Sequence, residues 1–101
     1  MSATSDSIIR DAISHKLLIE FDYDGYHRVA EPHVYGKKSD RIQLLAYQTE
    51  GKSASYGLPE WRRFDVARMS NLKLTDRHFP GRRPTISGEH SSFDNYLLLV
   101  S

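Results

Sequence analysis

The sequence predicts a mainly β fold of the α+β class: one N-terminal helix followed by a small, highly curved barrel of five antiparallel strands. Three observations lead there. Apolar residues recur with a helical period near the N-terminus, at Ile8, Ile9, Ala12 and Ile13. From Leu17 to Leu74 they instead alternate with polar residues in runs of strand length. Turn residues divide these runs at short intervals, beginning with Asp24-Gly25.

Ser5 or Ser7 can cap the helix, whose apolar stripe leaves Arg10 and Asp11 outside it and ends near His15 and Lys16. Leu17 to Tyr23 then places Ile19, Phe21 and Tyr23 on one face of a strand and Glu20 and Asp22 on the other. Asp24-Gly25 predicts a tight hairpin. The returning strand, Tyr26 to Tyr35, contains Pro32, which has no amide to donate and so implies an edge, a bulge or the end of pairing. Gly36 to Asp40 reads as a turn. A third strand, Arg41 to Tyr47, turns Ile42, Leu44 and Ala46 inward and Gln43, Leu45 and Tyr47 outward.

Gln48 to Pro59 is polar and reads as a loop. The fourth strand spans Trp61 to Val66 with Phe64 and Val66 in the core, and after a bend at Ala67-Arg68-Met69 a fifth strand buries Leu72 and Leu74. Asp76 to Ser92 is linker-like, and Phe93 to Val100 closes the chain as a short helix or a strand. The expected division is a barrel with its helix over residues 1–84 and a linker with a closing segment over 85–101.

A chain of 101 residues suffices for one domain with its own core. It has no cysteine, which excludes disulfides, thiolate catalysis and cysteine zinc sites. The N-terminus lacks a basic region followed by an apolar core, and the longest apolar run, Leu97 to Val100, is too short to span a bilayer, so a cytoplasmic chain with no membrane partner is expected. Net charge is only +1, but residues 36–84 carry eleven bases against five acids, +6, between acidic flanks. Folded onto one side, those charges make a positive face that the total conceals; spread out, they are an ordinary mixed surface.

No catalytic constellation stands out. Ser53, Ser55 and Tyr56 have no adjacent histidine, Gly51 and Gly57 lack the strand and helix of a phosphate loop, and His27 and His33 flank Pro32 without a carboxylate at ligand-like spacing. A non-enzymatic chain without metal or cofactor is expected. Trp61 and Arg63 read either as an exposed stacking pair or, for the tryptophan, as a core lid.

Several motifs in order resemble the WYL domain, a bacterial module with an Sm-like, SH3-type barrel. Ile8 to Ile19 is similar to its opening helix entering a first strand, and Arg28-Val29-Ala30-Glu31-Pro32 to its Arg-x-x-x-Pro element. Ile42-Gln43-Leu44 stands at the name-giving position, followed by Ala46-Tyr47. Arg62-Arg63-Phe64 and Arg68-Met69 resemble the Arg-x-Phe and Arg-Ile of the next strand and bend. The chain departs from the pattern at Ile42 and Gln43, where the family has Trp and Tyr, at Ala67, where it has an acid, and at Phe21, where it commonly has Tyr.

The resemblance implies a regulatory module, found in larger relatives beside a helix-turn-helix domain and tied there to sensing a ligand or single-stranded nucleic acid in transcription regulation. It selects Arg28, Arg62 and Arg68 as basic ligand-binding residues and Tyr47 as their aromatic partner. Guanidinium groups grip phosphate through parallel hydrogen bonds and a tyrosine ring stacks on any base, so a nucleotide or a single strand suits the set. The alternative is a protein-interaction or oligomerisation module, with the arginines in cross-strand ion pairs, Tyr47 as core, and Leu97 to Val100 pairing with a partner protein or a second copy.

Overall fold

The computed structural model describes residues 4–51, 60–81 and 93–100. Helix α1 (Ser5–His15) is capped by Thr4, one residue before the serines that the sequence offers, with its side chain accepting the Ser7 amide at 3.1 Å. Lys16 ends it in the left-handed region (φ 56°), turning its N–H onto the Ala12 and Ile13 carbonyls. The stripe is used as expected: Ile9, Ala12 and Ile13 are buried and Ile8 packs beside them.

Strands β1 (Leu17–Tyr23) and β2 (Tyr26–Lys38) are joined by Asp24 and Gly25, both at positive φ (52° and 82°), the conformation that suits a two-residue hairpin to strand twist. The register sets Tyr23 opposite Tyr26, Phe21 opposite Arg28 and Ile19 opposite Ala30. Of the outcomes Pro32 allowed, the bulge is realised: the β2–β3 register shifts between Pro32 and Val34. There β2 also changes partner, from β1, paired as far as Ala30, to β6 (Asn95–Leu99), paired from Val34 onward.

The turn expected at Gly36 to Asp40 is corrected. β2 continues through Lys38, and Ser39 (φ 54°) and Asp40 alone make the reversal. Gly36 serves close approach instead, since a Cβ there would stand 2.6 Å from the Asn95 carbonyl oxygen and 2.8 Å from the Phe93 ring. β3 (Arg41–Gly51) likewise outruns its expected end at Tyr47, because residues 48–50 pair with β2.

β4 (Glu60–Asp65) leads through a 3-10 turn (Val66–Arg68) into β5 (Ser70–His78). Phe64 is buried, whereas Val66 is partly buried in the turn rather than in a strand. Leu72 packs on the core, but Leu74, expected inside with it, is 41% exposed. The β1–β5 register shifts on both sides of the Leu74 pairing with Ile19, which breaks the simple alternation.

Among the described residues the sheet is antiparallel and has six strands where the sequence predicts five, in the order β4-β3-β2-β1-β5 with β6 on β2, and it does not close into the expected barrel. β4 and β5 are not paired with each other among the described residues, and the segment left open as helix or strand is the strand β6. The main core joins α1 to Ile19, Phe21, Leu44, Ala46 and Phe64, with Val100 at its border. A second cluster, Val34, Leu45 and Phe93 with Trp61 against it, lies under the sequence's outward-facing positions. Residues 52–59 and 82–92, with the expected loop, Ser53, Ser55, Tyr56 and much of the linker, lie outside the described residues.

Candidate ligand-binding site

Alternation along β2 puts Arg28 on the same face as Tyr26 and, across the hairpin, Phe21. The consequence is a buried guanidinium, with Arg28 1% exposed. It donates to the Tyr23 carbonyl at 3.0 Å and, at 3.4 Å, to Gln48 Oε1. It lies over the rings of Tyr23, Tyr26 and Phe64 at 5.3, 5.8 and 5.6 Å. Its Nε is buried without a hydrogen-bond partner. Burial, and next the neighbouring Arg62 charge, hold its pKa below the ordinary arginine range, with Asp24 opposing.

Arg62 stands opposite Ala46 on β3, which places it on the face of Leu44, Phe64 and Gln48. Arg68 comes from the 3-10 turn, lies over the Tyr23 ring at 4.9 Å and pairs with Asp24 of the hairpin. Tyr23 is itself fixed, its hydroxyl accepting the Asp65 amide at 3.0 Å and its ring meeting Phe64 edge-on at 4.9 Å. Arg28 and Arg68 thus meet over one tyrosine ring, and the Arg62 charge acts on Arg28 beside them. They come from β2, β4 and the turn.

Tyr47 does not join them. It is opposite Trp61, with ring centroids 5.2 Å apart, on the other face of the sheet. The exposed aromatic beside Arg28 is instead Tyr26, 37% exposed. Its signal was present in the sequence: it is two residues from Arg28 in one strand, hence on one face. Arg28 is also no part of an open surface, because the face it occupies is the one that buries the core.

The other candidates resolve individually. Trp61 packs against His33 (4.7 Å between centroids) and the Val34, Leu45 and Phe93 cluster, the position of a lid, and Arg63 lies over Phe93 at 4.2 Å. His27 meets Asp22 at 2.9 Å on the surface, while His33 is buried beside Glu31 at 3.4 Å, so the two histidines serve separate environments. Asp22 is held below the usual carboxylate range, first by the Asn71 amide and then by His27. Arg41, the first residue of β3, goes to Asp65 at 2.9 Å. Among the described residues no group of three or more His, Asp or Glu side chains is placed to hold a metal, and no helix is long and apolar enough to cross a membrane.

No family model matches the chain, and no characterised protein or solved structure is significantly similar to it.

Proposed function

We propose that the chain is a small regulatory module that binds a nucleotide or single-stranded nucleic acid at Arg62 and Arg68, above the buried Arg28, with Tyr26 in place of Tyr47 as the stacking ring. The placing of Arg28 and Arg68 over the Tyr23 ring, with the Arg62 charge acting on Arg28, carries this reading. Exposed Arg68 and half-buried Arg62 would meet phosphate, and buried Arg28 adds positive field from below. The Arg68–Asp24 pair is about half exposed on both sides, hence weak enough to exchange Asp24 for a ligand phosphate. A helix running into β1, and consecutive antiparallel strands with β5 returning beside β1, support the curved sheet of an Sm-like, SH3-type fold of the WYL kind, with the 3-10 turn linking β4 to β5. A cytoplasmic role in transcription regulation belongs to the same proposal.

The test is calorimetric titration with nucleotides and short oligonucleotides. Arg62→Ala is expected to cost about 1.5–3 kcal/mol of affinity and Tyr26→Ala about 1–3 kcal/mol. Tyr47→Ala should lower the melting temperature and leave affinity unchanged. Equal affinity in all three variants would remove the site.

One observation favours a second reading, association through β6. Tyr96, Leu97 and Leu99 are 43%, 38% and 50% exposed on a strand that carries no charge or proline to discourage pairing. A homo-oligomer, or a partner protein adding a strand, would use that edge, and light scattering of a Leu97→Lys variant separates it from the first reading.

A further inference from the structure

A cleft of about 720 Å³ opens between the first turn of α1, the start of β3 and the 3-10 turn, a volume suited to a small molecule. Its lining is mainly apolar. Ile42, 36% exposed, Val66 and Ala67 supply hydrocarbon, and Asp6, Tyr35 and Asp40 supply the polar edge. It shares Arg68 with the arginine cluster, but none of Tyr23, Tyr26, Arg28 or Arg62 lines it.

The sign of its ligand follows from the charges around it. Both arginines that border the cleft are matched, Arg41 by Asp65 and Arg68 by Asp24. The positive end of α1 is met by Thr4, which accepts the Ser7 amide, and by Asp6 in its first turn. Asp6 in turn accepts from the Tyr35 hydroxyl at 2.8 Å and from Arg10 at 3.0 Å. Asp40 has no side-chain partner among the described residues, so the unmatched charge at the cleft is negative.

We propose that this cleft binds a small organic cation, a primary ammonium on an apolar body, with the ammonium at Asp40 and the hydrocarbon against Ile42, Val66 and Ala67. An apolar wall beside an unmatched carboxylate recognises both parts of such a molecule. A neutral molecule of the same shape loses the charge contact, and an anion placed at Asp40 meets repulsion.

Amide NMR titrations of the full chain with hexylammonium, hexanol and hexanoate test this. Hexylammonium should shift the Ile42, Val66 and Ala67 amides saturably, at least about tenfold more tightly than hexanol, with hexanoate weakest. Asp40→Asn should reduce the amine to the level of the alcohol without changing the melting temperature, since the side chain is exposed. Ala67→Trp, which fills the cleft from an exposed position, should abolish binding of the amine. Equal binding of amine and alcohol, tighter binding of hexanoate, no saturable binding at all, or an amine affinity indifferent to Asp40→Asn overturns the proposal.

Discussion

Tyr35 carries its hydroxyl from β2 to the first turn of α1, where it donates to Asp6 at 2.8 Å, while Arg10 lies over its ring at 5.6 Å. Burial, and then the Asp6 carboxylate, push the phenol up to about 12 from 10.0. The folded chain therefore holds the phenol proton more tightly than the unfolded chain. Its contribution is complete below pH 10 and is lost as pH rises through about 12. Asp6 behaves in the opposite sense. The Tyr35 hydroxyl first, then Arg10, hold it below the ordinary 3.8, so its contribution is complete above that value and is lost as pH falls through its folded pKa. Tyr35→Phe should cost about 1 kcal/mol at neutral pH, raise the Asp6 pKa towards 3.8 and remove the alkaline loss. Denaturant unfolding across pH and carboxyl NMR of Asp6 measure all three, and an unmoved Asp6 would deny the hydrogen bond its role.

Among the elements, those with an unbroken period were legible from the chain alone. The Ile9, Ala12 and Ile13 stripe and the Ile19, Phe21 and Tyr23 alternation are used as read, because each meets one continuous core. Ile13, 2% exposed, makes the helix easy to test: Ile13→Asp should destabilise the domain by several kcal/mol, as for an unpaired buried charge, seen as a large fall in melting temperature. Illegible were the features set by partners distant in sequence. Gly36 resembles a turn residue until β6 is laid against it, and the bulges that expose Leu74 have no residue signature. The site divides along the same line. Arg28, Arg62 and Arg68 converge because of strand register and the 3-10 turn, while Tyr47, adjacent in sequence to Ala46 opposite Arg62, falls on the far face. Gly36→Ala should cost about 1–3 kcal/mol by overpacking against the Asn95 carbonyl. It should also speed hydrogen exchange of the Val100 amide, which donates to the His33 carbonyl at 2.9 Å beyond the pairing with β6. Unchanged exchange there would mean that β6 does not depend on Gly36.

For the molecule as a whole, the total charge of +1 is a poor guide to how it meets a polyanion, because association depends on where charges stand. Arg68 of the arginine cluster pairs with Asp24, and other bases are committed too, among them Arg10 to Asp6 and Arg41 to Asp65. A single strand bound at the arginine cluster therefore neutralises two or three phosphates, not the larger number that the +6 of residues 36–84 suggests. Counterion release for single strands scales as about 0.7 per phosphate, which sets the slope of log affinity against log salt near −1.4 to −2.1. Between 50 and 200 mM salt the affinity for a short oligonucleotide should fall roughly 7- to 20-fold. Arg62→Ala should make the slope shallower by about 0.7, and Tyr47→Ala should leave it unchanged. A slope near zero would indicate an uncharged ligand or a protein partner, and one steeper than about −4 would place the strand across a wider basic face than the cluster around Tyr23.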